Sequence, residues 1–203
     1  GRYDGKTSTS NVISLLSNPG IAWIRISPEF TIYNDNSRTH MKWSSVTSYF
    51  PTNGLNGSGQ LIAVADTGID HDHGDFGNRI DAKVDVVNDG GKTGDKWSGH
   101  GTHVACTVLG DGAQGGYAGV APQAELYFQA MEDDDDGSFY SPSITSLLGN
   151  AYSAGARIHS NSRGSFGASA QGAYTSESED VDDKANTYDR YYNGYQGLSI
   201  VFA

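Results

Sequence analysis

The chain has 203 residues, 36% of them apolar, which suits one domain or one domain with a short appendage. A net charge of −11 speaks against a nucleic-acid partner, which is usually met by a basic surface, and no apolar run is long enough to cross a membrane. One cysteine, Cys106, excludes an internal disulfide framework; this fits a reducing compartment, and also a secreted protein that dispenses with disulfides.

The first segments with apolar character are I-S-L-L, I-A-W-I-R-I and F-T-I-Y; the last two read as short strands separated by Ser27-Pro28. A polar link, N-D-N-S-R-T-H-M, and a Gly/Asn/Ser loop from Pro51 to Gly59 follow. The run Leu61 to Ala65, ahead of Asp-Thr-Gly, predicts a strand buried on both faces. A helix is expected over Thr102 to Leu109. E-L-Y-F-Q-A from Glu125, R-I-H-S-N-S from Arg157 and L-S-I-V-F-A from Leu198 read as further buried strands. Ser141 and Pro142 predict the cap and first turn of a helix whose core face is Ile144, Leu147, Leu148, Ala151 and Tyr152, with Gly155 just past its end. A weaker helix is expected from Val181 to about Tyr192, with Val181, Ala185, Tyr188 and Tyr192 on one face. Strands alternating with helices predict an α/β domain with a mostly parallel sheet, its chemistry at the carboxyl ends of the strands. The chain begins at Gly1 and ends at Ala203 within an apolar run, so it is read as a piece of a longer protein, incomplete at the C-terminus.

Asp66 follows the first parallel strand and fits either a crevice carboxylate or a turn cap. His100, ahead of a helix, fits either an imidazole oriented by a carboxylate or a structural histidine. His103, inside the helix, reads as structural. H-x-x-H without an intervening glutamate is a poor zinc motif, and Asp70, His71, Asp72 and His73 have no geometry fixed by sequence, so no metal site is assigned. Cys106 reads as a buried, inert thiol. The acidic run Glu132 to Gly137 fails as an EF-hand loop, because Ser143 falls where a bidentate glutamate is required, and reads first as an exposed loop and second as a calcium site of another kind.

V-A-D-T-G-I-D and S-G-H-G-T-H-V-A, in this order, resemble the aspartate and histidine motifs of the subtilisin-like serine proteases. A-R-I-H-S-N-S-R-G-S (Ala156 to Ser165) resembles the strand and Ser-x-Gly turn beside the first specificity pocket, and G-V-A-P-Q-A from Gly119 the turn before the next strand. Y-S-A-G-A-R-I-H-S-N-S is similar to the oxidatively stable alkaline branch. The resemblance implies a three-layer αβα fold, Asp66 as triad aspartate and His100 as general base. It places substrate between Ser162, Arg163 and Gly164 on one side and Gln129, Ala130, Met131, Glu132 and Asp133 on the other, as an added strand. Cys106 departs from the family's usual glycine, Arg163 from a common large apolar residue, and Gly110 to Gly116 lacks the family's asparagine-containing calcium loop.

Neither the Ala-Gly-Asn that supplies the oxyanion donor nor the Gly-Thr-Ser-Met-Ala of the nucleophile occurs, so both are expected beyond Ala203. P-G-I-A-W-I-R-I-S-P-E-F-T-I-Y resembles the end of a pro-region, which gives residues 1–33 as pro-region, 34–203 as the start of a catalytic domain, and cleavage near Tyr33 and Asn34. The implied protein is a secreted serine endopeptidase precursor acting on protein or peptide substrates and bound by its own pro-region, with no nucleic-acid or membrane partner. It needs no cofactor for its chemistry and has room for a structural calcium. Two other readings are a non-catalytic peptide-binding module and a metal-dependent hydrolase using His100, His103 and Asp70 to His73. Arg163 is expected at the pocket rim with its head in water, leaving a preference for large apolar or aromatic residues before the cleaved bond.

Overall fold

The computed structural model describes residues 38–45, 55–164, 172–190 and 197–203. The contacts divide the chain into Gly1–Tyr33 and Asn34–Ala203. The expected pro-region and the cleavage point near Tyr33 and Asn34 lie outside the described residues.

One sheet holds five strands, all pairing in parallel: β1 (Leu61–Asp66), β2 (Ile80–Asp85), β3 (Glu125–Ala130), β4 (Ile158–Asn161) and β5 (Ser199–Phe202), in the order β2-β3-β1-β4-β5. The helices are α1 (His100–Leu109), α2 (Ile144–Ala154) and α3 (Ser176–Arg190). Successive side chains of a strand point to opposite faces, so the continuous apolar run of β1 supplies both. Ile62 and Val64 pack with Leu126 and Phe128 of β3 against Ala105 and Leu109 of α1. Ala63 and Ala65 turn the other way, into the clusters that hold Leu147, Leu148 and Ala151 of α2. Helix α3 packs on α2 and β5. The sheet therefore lies between α1 and α2, the three-layer αβα arrangement with a parallel sheet. Phe128, Leu126 and Leu109 are fully buried, each stabilising the fold by roughly 1.5–3 kcal/mol relative to exposure.

The core face expected of α2 is the buried one, Ile144, Leu147, Leu148, Ala151 and Tyr152. Gly155 ends the helix at φ 108°, donating to the carbonyls of Ala151 and Tyr152. The start differs from expectation: the helix is capped at Ser143, not Ser141. Tyr140 N–H still bonds to Met131 O, which holds the chain in a hairpin, and the Ser141 hydroxyl accepts from Arg163 instead of capping. Helix α3 begins at Ser176, five residues ahead of Val181. Thr175 and Ser178 exchange side-chain and backbone hydrogen bonds there, and Glu177 and Glu179 in the first turn suit the positive end of the helix dipole. Strand β2 was not foreseen. I-D-A-K-V-D alternates with period two, as befits a strand at the sheet edge with one partner. The run L-S-I-V-F-A forms β5 but is buried only in part: Leu198 is 6% exposed and joins the core, whereas Val201 is 52% and Phe202 44% exposed, because β5 pairs only with β4 among the described residues.

Candidate active site

Asp66 is the last residue of β1, at the carboxyl end of the central strand, and is 2% exposed. Thr67 N–H donates to its Oδ1 at 2.8 Å. The same oxygen lies 2.6 Å from His100 Nδ1, and the His100 side chain is 51% exposed. With Nδ1 held by the carboxylate, Nε2 is the nitrogen turned to solvent and available to take a proton. The two residues singled out by motif, 34 positions apart, are thus brought together.

His100 opens α1, and the amides of the N-cap Gly99 and of the first three helical residues have no acceptor within the helix. Side chains satisfy the three helical ones, His100 N–H by Ser98 Oγ (2.9 Å), Gly101 N–H by Thr67 Oγ1 (2.9 Å) and Thr102 N–H by Asp95 Oδ2 (2.7 Å), and His103 N–H makes the first bond within the helix, to Gly99 O (3.2 Å). Asp95 Oδ1 also accepts from Gly99 N–H at 2.9 Å and from the Thr67 hydroxyl at 3.0 Å. Sequence reasoning missed Asp95; an acidic residue just ahead of a helix start was the available signal. Close backbone approach explains two glycines. A Cβ on Gly68 would sit 1.6 Å from Gly94 O, and one on Gly101 would sit 2.3 Å from Gly68 O.

The residues expected to grip substrate fall into two groups. Ser162, Arg163 and Gly164 leave the end of β4 and are at least partly exposed. Gln129, Ala130 and Met131 are fully buried, and Glu132 is 3% exposed, so these side chains face the interior. The reason is that β3 runs on into the core, and its continuation folds into a hairpin with Glu132 paired to Phe139 and Asp133 N–H bonded to Ser138 O. A cavity of about 630 Å³ has Arg163 and Gly164 on its wall together with Phe139, Ser141 and Phe202, not residues 129–133. The acidic run is also less exposed than expected. Asp134 is 9% exposed, its carbonyl accepts from Lys96 Nζ and Trp97 Nε1, and Lys92 pairs with Asp135 at 2.6 Å. Burial, together with Asp95, Asp134 and Asp66 nearby, pushes the Glu132 carboxyl above the usual range.

Arg163 does not extend into water. Its guanidinium is 3.1 Å from Glu177, donates to Ser141 Oγ, and belongs to a side chain only 11% exposed. Sequence could not show this, because the partner arrives on α3.

A buried polar chain crosses the sheet from β3 to β4. Gln129 Nε2 donates to Leu147 O (3.1 Å), Gln129 Oε1 lies 2.9 Å from His159 Nε2, His159 Nδ1 lies 3.0 Å from Asn161 Nδ2, and that amide also reaches Val201 O (3.3 Å). Both amide orientations follow from their carbonyl partners, which makes His159 the neutral Nε2–H tautomer. Ala63 and Ala65 of β1, opposite His159 and Gln129, leave the room it needs. Burial, and secondarily the Arg163 charge, depresses the His159 imidazole to about 4.

Cys106 is partly buried, and burial, with Asp75 adding to it, pushes its thiol up to about 12. Among the described residues the ligating groups that converge are His73, Asp75 and Cys106; neither His100 nor His103 belongs to them.

The sequence matches the profile of the subtilase family over residues 57–203, more than two thirds of the chain. It is 39% identical over 88 residues to the major intracellular serine protease of Bacillus subtilis, a match covering 42% of this chain and 28% of that protein. It is 38% identical over 99 residues to a subtilisin of a Bacillus species, covering 47% and 23%. The chain thus spans less than a third of these relatives. A mutant of the protease domain of PatA shares the fold, with a TM-score of 0.53 at 20% identity over 74% of this chain and 52% of that one.

Proposed function

Because this chain belongs to the subtilase family, we propose that it forms the aspartate–histidine half of a serine endopeptidase, Asp66 orienting His100 as general base. The observation that carries this reading is the 2.6 Å contact between a buried carboxylate and a half-exposed imidazole. In the whole protein His100 Nε2 removes the proton of a serine hydroxyl supplied by residues outside these 203, then returns it to the leaving amine. Asp66 holds the imidazole in the Nδ1–H tautomer and stabilises it when charged. The oxyanion donor likewise comes from outside this sequence, and no cofactor takes part in the chemistry.

Protein or peptide substrate lies along Ser162, Arg163 and Gly164, with Phe139 and Ser141 as the opposite wall in place of residues 129–133. Phe139, Val181 and Phe202 give the cavity apolar surface, and Glu177 neutralises Arg163. Both support a preference for large apolar or aromatic residues before the cleaved bond. Residues 1–33 act as the end of a pro-region, and the mature enzyme is exported; a processed chain beginning at Asn34 in culture medium is the sign of both. The test of the reaction is peptide hydrolysis by the whole protein and its His100→Ala variant. The expected loss is about 10⁶-fold, the size already known for subtilisin, a member of this family. Hydrolysis unchanged by His100→Ala, or insensitive to a serine-directed inhibitor, would overturn the reading.

A further inference from the structure

Away from the Asp66–His100 pair, three side chains of different chemistry converge with no role in the proposed reaction. Cys106 lies on α1 nearly two turns past His100, while His73 and Asp75 belong to the turn that follows β1. One ligand atom from each lies within 4.8 Å of the others. His73 Nδ1 is 3.8 Å from Cys106 Sγ and accepts a long hydrogen bond, 3.3 Å, from Asp75 N–H, which ligation of a metal would displace. A tetrahedral zinc ion with Zn–S of about 2.3 Å and Zn–N of about 2.0–2.1 Å separates those atoms by about 3.6 Å, so this edge already has nearly the right length.

Asp75 is 6% exposed. Its Oδ1 accepts from Gln114 N–H at 2.7 Å, which fixes the carboxylate, and its backbone carbonyl accepts from Asp111 N–H at 3.0 Å. Asp70 and Asp111 add negative potential, opposed by Arg79.

We propose that His73, Asp75 and Cys106 form a binding site for a borderline divalent cation, Zn²⁺ being the best match, with a fourth position open to solvent. A sulfur, a nitrogen and an oxygen donor favour zinc over calcium or magnesium, which take oxygen ligands. Binding exchanges the Cys106 S–H proton for the metal and releases it to solvent. The ion ties the middle of α1 to the turn after Asp66, bracing from behind the two elements that carry Asp66 and His100. His73 and Cys106 are only partly buried, which leaves an entry path.

The experiment titrates metal-free protein with Co²⁺, then Zn²⁺. One equivalent of Co²⁺ should produce tetrahedral d–d bands and a near-ultraviolet thiolate-to-cobalt band, and Zn²⁺ should displace both. Cys106→Ala should abolish the thiolate band. Cys106→Ala and Asp75→Asn should each weaken Zn²⁺ binding at least tenfold, and Zn²⁺ should raise the melting temperature of wild type but not of Cys106→Ser. Ca²⁺ should do none of this. A cobalt spectrum without the thiolate band, or zinc affinity equal in wild type and Cys106→Ala, would show binding by other histidines and overturn the proposal.

Discussion

His159 should make the folded protein sensitive to mild acid in a way that a single substitution removes. The ring is completely buried, and its Nδ1 faces the amide donor of Asn161, so a second ring proton would be driven against another hydrogen. Its folded pKa is about 4, lowered from 6.5 by burial and then by Arg163. Between those two values the unfolded chain binds a proton that the folded one excludes, so stability falls as pH drops through that window and this contribution is flat above it. At about 1.4 kcal/mol per pH unit the limiting loss is ~3 kcal/mol, of which about 2 kcal/mol is reached by pH 5. His159→Gln keeps a donor and an acceptor but cannot titrate. Urea unfolding of both proteins at pH 7 and pH 5 isolates the effect, since carboxylate titrations are common to the two. For an m-value of about 2 kcal/mol/M, the wild-type midpoint should fall ~1 M further than that of the variant. Parallel losses in the two proteins would mean that the buried ring takes up its proton without penalty and that the network argument is wrong.

Asp95→Ala should lower stability by about 1–2 kcal/mol in urea unfolding, because Thr102 and Gly99 lose their acceptor at the head of α1; in the whole enzyme turnover should fall as well, whereas loss of stability alone would deny Asp95 a positioning role. Cys106, with its thiol raised to about 12, should react with iodoacetamide at neutral pH, in the presence of a chelator, about 10³-fold more slowly than after unfolding; labelling at equal rates would refute the burial argument. Glu177→Gln leaves the Arg163 charge unneutralised and should move cleavage toward substrates with an acidic residue before the scissile bond; an unchanged profile in a peptide library would place Arg163 outside the pocket.

What the sequence made legible was local. The bounds of β3 and the buried face of α2 follow from apolar periods that tertiary context did not override. Asp66 and His100 were legible through motif resemblance alone, because each in isolation fits an ordinary turn cap or structural histidine. What was not legible depends on partners distant in the chain. The buried row Gln129–His159–Asn161 joins β3 to β4 across an alanine-lined central strand, so the Gln129 side chain anchors the core. Arg163 was placed in water because Glu177 comes from another helix. The side chains of residues 129–132 face the core, and the hairpin that pairs Glu132 with Phe139 brings Phe139 and Ser141 to the cavity, which only the folded chain shows. Strand β2 was missed because its charged positions break the apolar run that marked the others.

The two motifs themselves make one physical unit, and Thr67 is the joint. Its backbone N–H donates to Asp66 Oδ1, which orients the carboxylate. Its hydroxyl accepts from Gly101 N–H and donates to Asp95, whose other oxygen caps Thr102. The turn after β1 and the head of α1 are therefore locked by the same side chain, and Gly68 and Gly101 are needed because their backbones approach too closely for any Cβ. A 2.6 Å contact between residues on separate elements demands that the elements themselves be fixed to within a fraction of an ångström. That is a reason for Asp-Thr-Gly and His-Gly-Thr to occur as triplets rather than as a lone aspartate and a lone histidine: the neighbours set the distance at which the pair works.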